Sequence, residues 1–392
     1  MPEIHPAPVY FHMNGQALKI VPIDNRASMR AFINLPWSIY ADDPAWIAPL
    51  RLERRLPFSR FNPFFKHAEW QAWLAYRNGA PVGRISAQIN RLHQQQYGPD
   101  TGQFGLIEAI EDTDVFAVLT TTAEQWLRER NVTHVTGPFN LSINQESGVL
   151  VDGFSTPPVF MMPHSRPWYG AMLEQQAYTP AQDLLAYWIQ PDFTPSRTMD
   201  AIMKRFRNRV RVRPIQRKNF ARELETMRDI FNDAWSQNWG FIPFTAEEFT
   251  EMGNSLRLIV SDGLIQIAEV EGVPTAFMVT LPNLNEVLRD LNGSLLPTGW
   301  LKLFRYVRQK RFKTARVALM GVRKAYQNTP AGLAQAFMLI DESRKVMISE
   351  GIEGVELSWI LESNTPMRNI LNNIGSDLYK RYRVYEKTLQ VT

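Results

Sequence analysis

The chain has 392 residues. A single compact domain with one hydrophobic core is usually smaller than this, so we expect two domains of about 190 residues each. Its composition, 45% hydrophobic and 21% charged, is typical of a globular protein. The absence of cysteine excludes disulfides, thiol nucleophiles, iron–sulfur clusters and cysteine-ligated zinc, and the six scattered histidines predict no metal site.

The first fifteen residues lack a basic start followed by an apolar core. No uncharged apolar run reaches the roughly 18 residues that span a bilayer. We therefore expect a cytoplasmic location, with contact to the inner membrane surface left open.

Three pairs of segments match in the same order along the chain, which indicates an internal duplication. Each pair has the same predicted structure: a strand before a helix, a hairpin turn, and a helix that stops before a strand. The offset is 192 and 193 residues for the first two pairs and about 220 for the third, which predicts an insertion in the second copy at about residues 284–315. The pairs are Lys19–Asp24 with Arg211–Gln216, Asn78–Gly83 with Glu271–Ala276, and Gln125–Asn140 with Lys345–Asn364.

Each copy is predicted to run strand, helix, hairpin, strand, helix, strand, helix, strand. This order predicts an α/β fold with a mixed central sheet flanked by helices. We place the N-terminal domain at residues 1–190, a linker rich in proline and basic residues at 191–209, and the C-terminal domain at 210–392.

The segment that starts at Arg316 reads as a buried strand, a short loop and an amphipathic helix with Pro330 at its first position. Backbone amides at such a helix start, aided by Arg323 and Lys324, are able to hold a pyrophosphate. The alternative interpretation is an ordinary strand–helix junction.

At this point the chain resembles the GNAT acyltransferases. Gln327-Asn-Thr-Pro-Ala-Gly332 is similar to their pyrophosphate loop, with Pro330 in place of the first glycine. The segment Asn364–Gly375 matches a second family motif except that Leu371 stands where tyrosine would be. In the family this tyrosine often protonates the leaving thiolate.

The resemblance implies that an amine attacks the thioester of acyl-CoA directly, with acyl-CoA as the co-substrate and no metal. The strand Val317–Val322 would diverge from its neighbour, and a backbone amide near Met320 or Val322 would hydrogen-bond the thioester oxygen. The residues that the resemblance assigns to acyl-CoA binding are Met320, Val322, Arg323, Lys324, Gln327, Asn328, Thr329, Ala331, Gly332 and Asn364.

The corresponding helix start of the first copy carries three carboxylates, Glu111, Asp112 and Asp114. These charges would repel a pyrophosphate. The first copy is therefore predicted to be a degenerate domain that shapes the acceptor side.

Polar side chains in the Gly- and Pro-rich segment 137–164 are candidates for the acceptor site, because buried polar groups are costly without partners or a function. They are Asn144, Glu146, Asp152 and His164. Glu146 and His164 are the candidate catalytic bases. The alternative is that all four stabilise turns.

The predicted insertion combines apolar residues, among them Trp300 and Phe304, with a run of cations that includes Lys302 and Arg305. On a helix this pattern is typical of a segment lying on an anionic membrane surface. The alternative is a helix packed on its own domain.

Over nearly its full length the chain resembles a family of bacterial tandem-GNAT proteins that includes the bacterial ceramide synthases. The residues that carry this resemblance are Phe139–Glu146, Leu150–Phe154, Met161–His164 and Tyr379–Lys387. It implies N-acyl transfer from a fatty acyl-CoA, or from an acyl carrier protein, to a long-chain sphingoid or other lipid amine. Tyr382 is assigned to acceptor binding on the same resemblance.

Two other functions stay open at this point. One is acylation of a small soluble amine or peptide, with acetyl-CoA or aminoacyl-tRNA as donor. The other is binding of lipid or CoA without catalysis, which the departures at Pro330 and Leu371 favour. The basic run matches no nucleic-acid-binding module, so no nucleic-acid partner is expected.

Overall fold

The computed structural model describes residues 9–13 and 16–390, and the chain divides into two compact units. The first, here the N-terminal unit, contains Met1–Asp183, Asn292–Ser294 and Arg381–Thr392. The second, the C-terminal unit, contains Leu184–Leu291 and Leu295–Lys380. Compared with the predicted domains at 1–190 and 210–392, the division falls at Asp183, and the end of the chain groups with the N-terminal unit.

The strands are β1 (Val9–Met13), β2 (Gln16–Pro22), β3 (Ala68–Arg77), β4 (Ala80–Asn90), β5 (Thr101–Ala109), β6 (His134–Gly137), β7 (Phe139–Asn140), β8 (Glu146–Ser147), β9 (Val149–Asp152), β10 (Thr179–Ile189), β11 (Val210–Pro214), β12 (Ile265–Val270), β13 (Val273–Pro282), β14 (Thr314–Val322), β15 (Gly354–Leu361) and β16 (Asp377–Thr388).

The helices are α1 (Arg26–Ile39), α2 (Arg51–Arg55), α3 (Arg91–Tyr97), α4 (Thr113–Arg128), α5 (Tyr169–Gln175), α6 (Arg197–Phe206), α7 (Phe220–Trp235), α8 (Ala246–Leu256), α9 (Asn285–Leu288), α10 (Gly299–Arg308), α11 (Pro330–Ser349) and α12 (Thr365–Asn373).

In the N-terminal unit the sheet runs β1-β2-β3-β4-β5-β6 and continues to the end of β16. The pairs are antiparallel except for β5 and β6, which are parallel. Tyr385–Thr388 of β16 pair with β6. The last strand of the chain therefore completes the first sheet, which is why it groups with the N-terminal unit.

The C-terminal unit has a matching sheet. Strands β11, β12, β13 and β14 form antiparallel pairs, β14 and β15 are parallel, and Leu184–Ile189 of β10 pair antiparallel with β15. Helices α7 and α11 pack on this sheet. The predicted mixed sheet flanked by helices is confirmed in each unit.

The two predicted hairpin turns have the same backbone geometry. Asn78 and Gly79 have φ angles of 50° and 80°, and Glu271 and Gly272 have 53° and 82°. Two consecutive positive φ angles define the turn whose twist matches the flanking strands. The two copies are therefore equivalent even in the backbone geometry of this turn.

Burial on both faces of the N-terminal sheet follows the two-residue period of a strand. Trp73 and Ala75 of β3 lie in the cluster of buried residues to which α4 contributes. Their neighbours Ala72 and Leu74 lie in the cluster to which α1 contributes. The two helices therefore cover opposite faces.

Among residues 9–13 and 16–390, no helix combines the length and the apolar character that crossing a membrane requires.

Candidate active site

The strands of the C-terminal sheet diverge next to the predicted loop. The parallel pairs between β14 and β15 run from Thr314 opposite Gly354 to Val317 opposite Leu357, whereas β14 itself continues to Val322. Along its other edge β14 stays paired with β13, with a bulge that leaves Ala318 without an opposite residue. The predicted divergence of the strand Val317–Val322 is confirmed.

As predicted, a short loop, residues 323–329, follows this strand and leads into helix α11, whose first residue is Pro330. The Thr329 hydroxyl accepts a hydrogen bond from the amide of Gly332 at 3.1 Å. A Cβ at position 332 would lie 2.0 Å from the carbonyl oxygen of Tyr326, so only glycine fits there. Among the described residues, no partner accepts from the amides of Asn328 and Ala331. These two amides are the donors that the loop offers an anion.

The side chains of the loop divide into structural and exposed ones. Arg323 forms an ion pair with Asp229 at 2.5 Å. The Gln327 amide nitrogen donates to the carbonyl oxygens of Ala234 and Val322, each at 2.9 Å, so this side chain fixes the loop. Lys324 is exposed. It is the cation of the loop that is most accessible to a phosphate.

The carbonyl oxygens of Met320 and Val322 accept hydrogen bonds from the side chains of Trp235, at 3.2 Å, and Gln327. The N–H and C=O of one strand residue point to the same edge. The amides of Met320 and Val322 therefore point toward the side from which Trp235 and Gln327 approach.

A buried polar cluster lies where β14 and β15 separate. Arg316 and Glu356 are opposite each other in the parallel pairing, and they are 5% and 0% exposed. The Ser358 hydroxyl donates to Glu356 at 2.5 Å and accepts from Arg316 at 2.9 Å. The Tyr379 hydroxyl donates to the other carboxylate oxygen of Glu356. The divergence thus begins beside a tyrosine hydroxyl.

In the second motif, Asn364 and Leu371 both have structural roles. The Asn364 side chain caps α12 by accepting from the amide of Met367 at 3.1 Å. Leu371 is 3% exposed and packs in the core.

In the N-terminal unit the corresponding divergence is filled by the chain itself. β5 and β6 pair only from Thr101 to Gln103, and β5 continues to Ala109. The amide of Leu106 donates to the Asn140 side chain at 2.9 Å. A Cβ on Gly105 would lie 1.9 Å from the carbonyl oxygen of Phe139. The segment Phe139–Asn140 therefore occupies the edge of β5 at Gly105 and Leu106, where the resemblance would place a pantetheine arm.

The start of α4 is also closed. Asp112 caps the helix by accepting from the amide of Val115 at 3.1 Å and pairs with Arg77 at 2.7 Å. A carboxylate occupies the position that a phosphate would take.

A network of polar side chains is centred on Glu108 of β5, with Tyr40 and Tyr169 buried and Glu108 and Arg84 partly buried. Glu108 accepts hydrogen bonds from Tyr40 at 2.7 Å and from Tyr169 at 2.6 Å. Arg84 lies 3.7 Å from the other carboxylate oxygen. Burial raises the pKa of Glu108, and the Arg84 charge and the tyrosine hydrogen bonds offset this only in part. Burial, and then the charge of Glu108, raise the pKa of both tyrosines well above the ordinary value.

Glu146 forms an ion pair with Arg54 at 2.7 Å and accepts a hydrogen bond from the Asn140 side-chain amide at 2.9 Å. Burial alone would raise the pKa of Glu146, but the Arg54 charge and these hydrogen bonds outweigh it and hold the pKa below its ordinary value. A carboxylate with a low pKa is a weak proton acceptor.

His164 forms a dyad with Asp43. The distance from its Nε2 to the Asp43 Oδ2 is 2.9 Å, and its side chain is 3% exposed. Its carbonyl oxygen accepts from the Tyr40 hydroxyl at 3.2 Å, which connects the dyad to Glu108. A carboxylate that orients an imidazole is a recurrent arrangement for a catalytic base.

The other acceptor candidates differ in their surroundings. Asn144 lies in the loop after β7 and its amide donates to Ser142 at 3.2 Å. Asp152 is exposed at the end of β9, opposite Arg381. Tyr382 is 0% exposed and lies in the core. The structure therefore brings His164 to the network around Glu108.

The centre of that network, Glu108 with Tyr40, Tyr169 and Arg84, was not among the predicted site residues. The available signal was a single carboxylate in the run Phe104–Ile110, because a buried strand carries a charge only when it has a partner.

The part of the chain that the structure describes has no group of three or more His, Cys, Asp or Glu side chains placed to hold a metal ion. No family model matches the chain. Two curated relatives match nearly all of it. Protein YghO of Escherichia coli (strain K12) is 49% identical over 93% of this chain and 94% of its own length. A protein named bacterial ceramide synthase, from Caulobacter vibrioides, is 42% identical over 97% of this chain and 100% of its own length.

The fold has a solved counterpart in a tandem GNAT protein from the clavulanic acid biosynthesis pathway. It is 12% identical, covers 95% of this chain and 98% of its own, and has a TM-score of 0.54. This likeness confirms the predicted tandem GNAT fold. The chain belongs to the family of acyl-CoA-dependent, tandem GNAT-fold N-acyltransferases that includes the bacterial ceramide synthases.

Proposed function

We propose that this protein transfers a fatty acyl group from acyl-CoA to the primary amine of a long-chain lipid such as a sphingoid base. The observation that carries the donor side is the divergence of β14 from β15 after Val317, next to the start of α11. The acceptor class is supported by the 42% identity to the relative named bacterial ceramide synthase.

In this proposal the C-terminal unit binds the donor. The amides of Asn328 and Ala331, with the side chain of Lys324, contact the pyrophosphate of CoA. The pantetheine arm follows the unpaired edge of β14. The amide of Met320 or Val322 donates to the thioester oxygen, where negative charge develops as the amine attacks. The N-terminal unit, whose own divergence is filled, binds no CoA and serves the acceptor.

The chemistry is a direct displacement. The amine nitrogen bonds to the thioester carbon, the C–S bond breaks, and the ammonium proton leaves to a base. CoA leaves as a thiolate, which takes up a proton. Leu371 stands where the family tyrosine would supply that proton, and we assign the role to Tyr379, whose hydroxyl lies at the point of divergence.

The decisive experiment is a donor and acceptor screen with a thiol reagent. Because the chain has no cysteine, such a reagent reports released CoA alone. We expect release from palmitoyl-CoA with sphinganine, and an N-acylated product by mass spectrometry. Release only with acetyl-CoA and a soluble amine such as ethanolamine would favour the small-amine alternative. CoA binding without release from any donor, including an acyl carrier protein, would overturn the proposal.

A further inference from the structure

Helix α10 is exposed along its length. None of its residues is buried, and three of its large apolar side chains face solvent. Trp300 is 53% exposed, Leu301 is 44% and Phe304 is 55%, and Leu296 just before the helix is 77% exposed. Isolated exposed apolar residues need no explanation, but four within nine positions form a patch.

The exposed apolar patch lies on one side of α10. Leu303 and Val307 are half-buried and lie one turn apart, on the side that rests on the protein. The Tyr306 hydroxyl fixes this side by donating to Glu286 at 3.0 Å. At about 100° per residue, Trp300 and Phe304 continue the apolar arc from Val307 outward. The C-terminal unit therefore covers only part of the apolar side of α10.

Cations line the exposed side. Lys302 pairs with Asp290, whereas Arg305 and Arg308 form no ion pair with any described residue. From Leu291 to Ile340 the sequence has nine basic residues and no acidic one. A second copy of this surface would bring like charges together, which disfavours self-association.

We infer that α10 docks on the surface of an anionic lipid bilayer. Trp300 and Phe304 enter the boundary between headgroups and acyl chains, and Arg305 and Arg308 reach the anionic headgroups. An apolar arc bordered by cations complements that surface on both counts. Docking needs no acyl transfer, so it extends beyond the proposed function and is tested separately from it.

The test uses the absence of cysteine, which lets one introduced thiol be labelled specifically. Phe304→Cys carries an environment-sensitive fluorophore, and the full chain is mixed with vesicles of phosphatidylcholine alone or with phosphatidylglycerol added. We expect a blue shift with the anionic vesicles and little with the neutral ones. The matched control is Val273→Cys, at a hairpin turn of the same unit and 60% exposed, which should not shift.

A second variant tests the charges without touching the apolar side chains. The double variant Arg305→Gln, Arg308→Gln should lower the affinity for anionic vesicles, measured by flotation, about twentyfold to thirtyfold. The reason is that each cation near such a surface contributes about 1 kcal/mol. An unchanged affinity, or an unshifted label at position 304, overturns the inference. A shift without vesicles that grows with protein concentration would identify a second copy as the occupant instead. Vesicle binding without CoA release would reject only the proposed function.

Discussion

The Cα of Gly332 lies against the carbonyl oxygen of Tyr326, so closely that a Cβ there would be 2.0 Å from that oxygen. This close contact fixes the loop against the start of α11, beside the amides of Asn328 and Ala331, which have no acceptor among the described residues. Pro330, which stands where the family motif has its first glycine, is compatible with this helix start because proline at the first helical position loses no hydrogen bond.

The first prediction concerns this contact. Gly332→Ala should displace the loop and weaken CoA binding at least tenfold, measured by titration calorimetry. Ala325→Ser is the matched control, because it also adds one atom to the loop but at an exposed position. Unchanged CoA binding in Gly332→Ala would mean that the loop does not hold the pyrophosphate.

The second prediction tests His164 as the base that removes the ammonium proton. His164→Gln should lower kcat about a hundredfold or more, with Asp43→Asn giving a smaller loss. His134→Gln is the control, since His134 also faces a carboxylate, that of Glu386 at 3.3 Å. An unchanged kcat in His164→Gln would mean that the dyad has a structural role only.

The third prediction concerns the centre of the N-terminal network. Glu108→Ala removes the acceptor of two tyrosine hydroxyls and the carboxylate that lies near the partly buried Arg84. We expect the free energy of unfolding to fall by about 3–5 kcal/mol, measured by urea denaturation. The control is Glu111→Ala, at an exposed position two residues before α4. This change should alter the free energy of unfolding by less than about 0.5 kcal/mol. A loss below about 1 kcal/mol in Glu108→Ala would contradict a tightly coupled network.

The fourth prediction concerns acid stability. Burial and the neighbouring His134 lower the pKa of His93 to about 4. Because its folded pKa is below the unfolded value of about 6.5, neutral His93 contributes stability above pH 6.5 that is lost as the pH falls toward 4. The full loss is about 3 kcal/mol.

His93→Phe keeps an aromatic ring against Tyr97 but cannot take up a proton. Its melting temperature should therefore fall less than that of the natural chain between pH 7 and pH 4.5. Parallel decreases in the two proteins would show that other groups control acid unfolding.

Much of this protein is determined by local sequence. The hairpin at Asn78–Gly79 and its copy at Glu271–Gly272, the start of α11 at Pro330 and the two mixed sheets follow from turn residues, periodicity and duplication. Such features depend on neighbours within a few positions, so the sequence alone indicates them.

The tertiary structure decided what depends on distant neighbours. Pairing of Tyr385–Thr388 with β6 puts the last strand into the N-terminal unit, and no local pattern reveals a partner about 250 residues away. The low pKa of Glu146 depends on Arg54, and the partners of Glu108 are Tyr40, Tyr169 and Arg84. Burial and partners set the state of a charged group, and folding alone brings these residues together.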